Sequence, residues 1–326
     1  MVRDVAKIAS ELPTEEAHLP LHGSSRELPV VAGALDLDTV WPNSSPIALR
    51  GTPGLQLDWS PSGLADAFGD DACILEDCEV PGQRMKTTIR SFFEGLVTLN
   101  SGDETSGSIL KLKDYPPDMT FKEKSPNLAR DFQIALPGPL YTSDEGPLNL
   151  ANFFPTNYLY KPDLGPKMYA AMASRQDDIH HGSTRLHMDM ADAVNIMASN
   201  GRALWHIFAS EDSQQLRKFM THRFKGLGHD PIHAQQVYLT PCDLDALKAE
   251  TGVVPFTFEQ LQGDVVFIPT GCAHQVSNIT ACIKIAVDFV SPQNLARCSC
   301  VAQELRASQA ASECLEFTNL LIHAWM

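Results

Sequence analysis

The chain has 326 residues, 44% hydrophobic and 20% charged, the composition of a globular protein with enough apolar material for a sizeable core. Its 22 prolines and 20 glycines break helical windows too often for a helix bundle, and no apolar run reaches the ~18 to 20 residues of a membrane span, so no membrane partner is expected. With 25 basic residues against 40 acidic the net charge is −15, which disfavours direct nucleic-acid binding and favours a basic partner.

Residues 1–27 read as a polar lead-in without strong periodicity. Residues 28–147 read as a mixed α/β shoulder: ELPVVAGALD gives a strand and a turn, SFFEGLV a short helix, and LKLKDYPP an alternating strand stopped by two prolines. Residues 148–303 form the expected core, and residues 304–326 a closing helical segment. Within the core, Ser210 is expected to cap a helix with Glu211 and Asp212 in its first turn. Leu216, Phe219, Met220 and Phe224 fall on one face of it, and Gly226 ends it. Thr240 and Pro241 open a second helix that ends near Gly252. VVPFTF, VVFIP and the long alternating run ACIKIAVDFV then read as strands, with a turn at Gly263-Asp264. Short strands between Gly and Pro turns, with helices inserted, predict a mainly β fold with helical additions (α+β), a barrel or jelly roll.

His187-Met188-Asp189 is the first chemical signal. In a strand, residues i and i+2 share a face, so an imidazole and a carboxylate would converge there. With a second histidine they make a 2-His-1-carboxylate triad, which holds Fe(II) and leaves coordination positions open. Alone the tripeptide is weak, because chance supplies about one His-x-Asp in a chain with 11 histidines. His274 strengthens it, lying in GDVVFIPTGCAHQVSNI after a hydrophobic strand and a Pro-Thr-Gly turn. Ten residues on, Lys284 shares a strand face with Cys282, Ala286 and Asp288, while Ile283, Ile285, Val287 and Phe289 take the other. A lysine turned into a barrel needs an anion there, unless it reaches solvent at an open mouth. Thr184 could offer a hydroxyl to the same anion, and Asn195 could orient a ligand through its amide. Tyr158, Tyr160, Tyr169 and Trp205 are aromatics at plausible pocket positions.

The eight cysteines (Cys73, Cys78, Cys242, Cys272, Cys282, Cys298, Cys300 and Cys314) are sparse, and MVRDVAKIASEL lacks the apolar run of a secretory signal. Reduced thiols inside a cell are expected. A zinc site from Cys298, Cys300 and Cys242 with His222, His229 or His233 is a weaker reading, because only one close Cys pair is present. His180 and His181 read as surface residues rather than ligands.

The blocks LNLANFFPTNYLYKPDLGPKMY, STRLHMDMADAVNIM, ALWHIFASEDSQQLRKFM, DPIHAQQVYLT and GDVVFIPTGCAHQVSNITACIKIAVDFVSPQNL together resemble the JmjC-domain histone lysine demethylases. Within that family they are similar to the hairless-type branch, which removes mono- and dimethyl marks from histone H3 lysine 9. The resemblance runs from about Leu28 to Gln303. It implies a double-stranded β-helix (a cupin-like jelly roll) that uses Fe(II), 2-oxoglutarate and molecular oxygen. His187, Asp189 and His274 would be iron ligands and catalytic residues; Thr184 and Lys284 would hold the cosubstrate tail, with Asn195 in the same pocket. The implied reaction releases formaldehyde and succinate from a methylated histone H3 tail, or another basic methylated peptide, in the nucleus. Two alternatives stay open: a JmjC protein hydroxylase with the same iron site, and a chromatin scaffold of little activity. The segment ASNGR between Met197 and Ala203 is short where relatives often carry an insert.

Overall fold

A computed structural model describes residues 26, 28, 30–32, 41, 45–50, 54–80, 82–99, 108–155, 162–174, 182–308 and 315–325. Its first strands are β1 (Val30–Ala32), β2 (Ile47–Arg50), β3 (Ala72–Asp77), β4 (Arg84–Thr88), β5 (Leu110–Tyr115) and β6 (Lys167–Ala171). There follow β7 (Thr184–His187), β8 (Asp192–Met197), β9 (Ala203–Ile207), β10 (Phe256–Gln260), β11 (Val265–Ile268), β12 (His274–Asn278) and β13 (Cys282–Phe289). The helices of the first half are α1 (Pro61–Phe68), α2 (Ile89–Leu99), α3 (Phe121–Lys124), α4 (Pro126–Ala135) and α5 (Pro139–Thr142). Those of the second half are α6 (Ser213–Arg223), α7 (Pro241–Thr251), α8 (Leu295–Ser308) and α9 (Phe317–Trp325).

The strands form a nine-stranded sheet, β1-β2-β11-β8-β13-β6-β5-β3-β4, and a four-stranded sheet, β10-β9-β12-β7. All these pairings are antiparallel except β1 with β2. The fold is thus a mainly β jelly roll with helical additions, as the strand spacing predicts. Residue alternation explains the layering. On β8, Val194 and Ile196 point into a core shared with α1, α2 and α4. Ala193 and Met197 point instead into the space between the sheets, beside Trp205, Ile207, Val266 and Val276. Because β8 is covered on both faces, all six of its residues are buried and it reads as a run without polar alternation. Behind the small sheet, Leu186 and Phe208 join Leu216, Phe219 and Met220 of α6 and Leu247 of α7 in a third core.

Several sequence expectations are met closely. Thr240 caps α7 through a capping box with Asp243, Pro241 opens the helix, and Gly252 closes it at φ 76°. LKLKDY is β5, and ACIKIAVDFV contains β13. Others need correction. The helix expected from Ser210 starts at Ser213, because Ser210–Asp212 form a 3-10 turn in which Asp212 pairs with Arg26 at 3.0 Å rather than capping. It ends at Arg223, where Phe224 turns extended; Gly226, at φ 79°, belongs to the following turn. VVPFTF is a strand only from Phe256 onward. Of the polar lead-in, only Arg26 falls among the described residues; it is docked, its N–H donating to the Pro255 carbonyl at 3.1 Å. Among the described residues no helix is long and apolar enough to cross a membrane.

Candidate metal centre

Strand pairing brings the two histidines together. His187 ends β7, His274 opens β12, and they are register partners, so their side chains leave the same face of the small sheet. Their ring centroids are 4.2 Å apart. Asp189 lies beyond the end of β7, so the strand argument for His187 and Asp189 sharing a face does not hold. A loop delivers the carboxylate instead: the Asp189 carbonyl accepts from Thr270 Oγ1 at 3.2 Å and from the Gly271 N–H at 3.4 Å. Its two carboxylate oxygens then stand 3.7 Å from His187 Nε2 and 3.6 Å from His274 Nε2. These separations are too long for hydrogen bonds, yet all three donor atoms lie within 4.8 Å of one another.

The hydrogen bonds on the far side of each ring fix the tautomer. His187 Nδ1 lies 2.9 Å from the Arg185 carbonyl, and His274 Nδ1 lies 3.1 Å from the Cys272 carbonyl. A carbonyl can only accept, so Nδ1 carries the proton and Nε2 offers its lone pair toward Asp189. Burial, aided by neighbouring His274, pushes His187 down to about 4, so its imidazole is neutral near pH 7. Two imidazoles, each held through Nδ1 with Nε2 turned to the site, and one carboxylate suit a first-row divalent ion such as Fe(II).

The donors face a cavity of about 560 Å³ whose walls include His187, Asp189, His274, Thr184, Asn195 and Lys284. The structure therefore brings all six sequence-predicted residues to one space. Lys284 is 7% exposed; its Nζ donates to Asn278 Oδ1 at 3.0 Å and sits 5.4 Å from the Trp205 ring centroid. Both contacts are with neutral groups, and burial lowers the lysine's pKa. An enclosed ammonium with no carboxylate partner among the described residues is a receptor for an anion. Asn195 Oδ1 accepts from Gln260 Nε2 at 3.2 Å, and Gln260 Oε1 accepts from Trp205 Nε1 at 2.9 Å. Trp205 in turn stacks on His274, centroids 5.9 Å apart and planes 20° apart.

Sequence reasoning missed Asn278 and Gln260. Asn278 shares the face of β12 with His274 and Val276, a period-2 signal; Gln260 gives none, since the two side chains it joins, Asn195 and Trp205, are distant in sequence. Trp205 and Tyr169 line the cavity, as their selection among the aromatics anticipates, while Tyr158, Tyr160, His180, His181 and Cys314 lie outside the described residues. The cysteine zinc site does not form among the described residues: Cys298 is buried, Cys242 and Cys300 are exposed, and no cysteine joins a cluster of potential ligands. His233 instead meets Asp230 and Glu304, but Arg217 ion-pairs with both carboxylates. That group reads as a salt-bridge network.

Residues 168–289, which hold all six of these side chains, match the family described as JmjC domain, hydroxylase. The chain carries a JmjC domain. Similarity extends well beyond those residues. The chain is 34% identical over 315 residues to lysine-specific demethylase 3A of Homo sapiens, covering 82% of this chain and 24% of that protein. It is 34% identical over 344 residues to lysine-specific demethylase 3 of Drosophila melanogaster, covering 87% and 39%. To lysine-specific demethylase JMJ29 of Arabidopsis thaliana it is 32% identical over 355 residues, covering 82% and 39%. The chain thus spans about a quarter to two fifths of the length of these relatives. The JmjC domain takes in β6 through β13 with the inserted pair α6 and α7, and so both faces of the cavity.

Proposed function

We propose that this chain is an Fe(II)- and 2-oxoglutarate-dependent dioxygenase that demethylates methyl-lysine in the histone H3 tail, mono- and dimethylated lysine 9 being favoured, in the nucleus. The observation that carries this reading is the pair of imidazoles and one carboxylate converging in a cavity that also encloses the ammonium of Lys284, which has no carboxylate partner among the described residues. His187, Asp189 and His274 are the iron ligands in this reading. Lys284 and Thr184 take the distal carboxylate of 2-oxoglutarate, and Asn195 lines the same pocket while bracing Trp205 through Gln260. When bound, iron and 2-oxoglutarate supply the oxidation of an N-methyl group by molecular oxygen; the hydroxymethyl amine that results breaks down to formaldehyde and an amine one methyl shorter. The chain's own work is to hold three donors in place, to answer a carboxylate with Lys284, and to wall off water with Trp205, Val276 and Ile268. The names of the relatives support lysine demethylation, and the net charge of −15 suits a basic tail.

The test is release of formaldehyde and succinate from a panel of methylated histone peptides, with Fe(II), 2-oxoglutarate and ascorbate, alongside His187→Ala. Formaldehyde should track succinate and vanish in the variant. Peptide-stimulated succinate without formaldehyde would favour hydroxylation of a stable carbon, and neither product from metal-loaded protein would favour a scaffold.

A further inference from the structure

Along β13, Cys282, Lys284, Ala286 and Asp288 line the cavity, while Ile283, Ile285 and Phe289 pack into the helix-covered core. Lys284 and Asp288 stand four residues apart on one strand face, roughly 13 Å at ~3.3 Å per residue. Lys284 lies over Trp205, Trp205 stacks on His274, and His274 meets Asp189. Asp189 and Asp288 line the same cavity. Besides the metal donors, the cavity therefore presents an ammonium at Lys284 and, farther along the same strand, a carboxyl at Asp288.

Asp288 also stands where this cavity meets a second bay of about 350 Å³. The two share Asp114, Tyr169, Ala286 and Asp288, and the outer bay adds Pro117, Asp163, Leu164 and Lys167. Its other carboxylates already have partners: Asp114 accepts from Tyr169 Oη at 2.7 Å, and Asp163 pairs with Lys167 at 2.6 Å. The Asp288 backbone N–H donates to the Leu164 carbonyl, but its carboxylate has no hydrogen-bond or ion-pair partner among the described residues. The carboxyl is half-buried on the cavity wall, with no cation beside it among the described residues. A partner brought by the substrate would supply one.

We propose that Asp288 recognises the methylated ammonium of the substrate and sets the methyl-state preference, by accepting a hydrogen bond from the N–H that mono- and dimethyl-lysine retain and trimethyl-lysine lacks. The inference rests on the methyl-lysine reading above and names the residue that enforces it. A charge-assisted hydrogen bond corresponds to about 10- to 100-fold in affinity, whereas trimethyl-lysine keeps only the attraction of its charge.

The experiment is isothermal titration of one basic peptide, carrying unmodified, mono-, di- or trimethyl-lysine, into protein loaded with Ni(II) and 2-oxoglutarate so that binding is read without turnover. Wild type should bind the mono- and dimethyl peptides at least about 10-fold tighter than the trimethyl peptide. Asp288→Asn should bring that ratio to within about threefold, by weakening the mono- and dimethyl complexes, while 2-oxoglutarate affinity stays that of wild type. Asn is isosteric, so the variant should fold, which its melting temperature checks. Asp163→Asn, whose carboxylate already pairs with Lys167, should keep the wild-type ratio. An unchanged ratio in Asp288→Asn, or an equal collapse in Asp163→Asn, overturns the assignment to Asp288 and leaves the methyl-lysine reading standing. No preference by wild type for any methylated peptide over the unmodified one overturns both.

Discussion

Lys284 and His206 show how two enclosed basic side chains come to opposite uses. The ammonium of Lys284 is answered by an amide oxygen and an indole face, so removing it should be felt by the anion rather than by the fold. Lys284→Ala should raise the KM for 2-oxoglutarate about 10- to 100-fold with a smaller change in kcat, read from succinate release at varied cosubstrate. His206 belongs to β9 but lies behind the small sheet, near Gln275, which both accepts from and donates to the backbone of Leu239. Burial pushes His206 down to about 4, below its ordinary value near 6.5. The unfolded chain therefore takes up a proton first as pH falls. The stability this neutral imidazole contributes is complete above pH 6.5 and is lost as pH drops toward 4, by up to about 1.4 kcal/mol per pH unit. Asp192 works in the reverse sense: burial pushes its carboxyl up to about 6 despite four hydrogen-bond donors, so its contribution is lost as pH rises from about 4 to 6. Melting temperatures of wild type and His206→Gln at pH 7 and pH 5 separate the two, and the variant should lose less on acidification.

At the scale of elements, the locally coded features were readable. The α7 cap needs only Thr240, Pro241 and Asp243, three neighbours in sequence, and Thr240→Ala should cost about 1 kcal/mol, measured by denaturant unfolding. The face of β13 that lines the cavity follows from alternation, which strand geometry imposes whatever packs beside it. Features set by pairing between distant strands were not readable from local pattern, only from the family resemblance. The apposition of His187 and His274 depends on the register of β7 with β12, and the position of Asp189 depends on a loop from the other side of the cavity. Thr270 is the hinge of that arrangement: its N–H donates to Asp192, and its hydroxyl donates to the carbonyls of Asp189 and Met190. Thr270→Val keeps the shape and removes the hydroxyl. It should weaken metal binding about 10-fold with little change in secondary structure, as judged by competition against a chelating dye and by circular dichroism.

Across the whole molecule, the first half of the chain does more than support the second. β3, β4 and β5 extend the large sheet through the β5–β6 pairing, and Glu76, Arg84 and Lys111 become part of the cavity wall. The sequence reading of a mixed shoulder found LKLKDY as a strand but had no means of assigning its neighbour, since Leu112 pairs with Ala170, far along the chain. Net charge acts at this scale as well. A surface at −15 should draw a basic peptide through its long-range field, so the Kd for an H3-tail peptide should weaken several-fold between 50 and 300 mM salt at constant pH. A matched peptide with its arginines replaced by glutamine should show a shallower dependence.

The layering also distributes four indoles as separate optical probes. Trp41 and Trp59 are enclosed in the helix-covered core, Trp205 lies between the sheets against a metal-facing imidazole, and Trp325 is 92% exposed on α9. Emission from the first two should be blue and should vanish only on global unfolding. Trp325 should emit red in every state. Trp205 stacks on His274, so a paramagnetic ion held by the three donors should quench it, and the difference between wild type and Trp205→Phe becomes a spectroscopic gauge of cavity occupancy, with no label added.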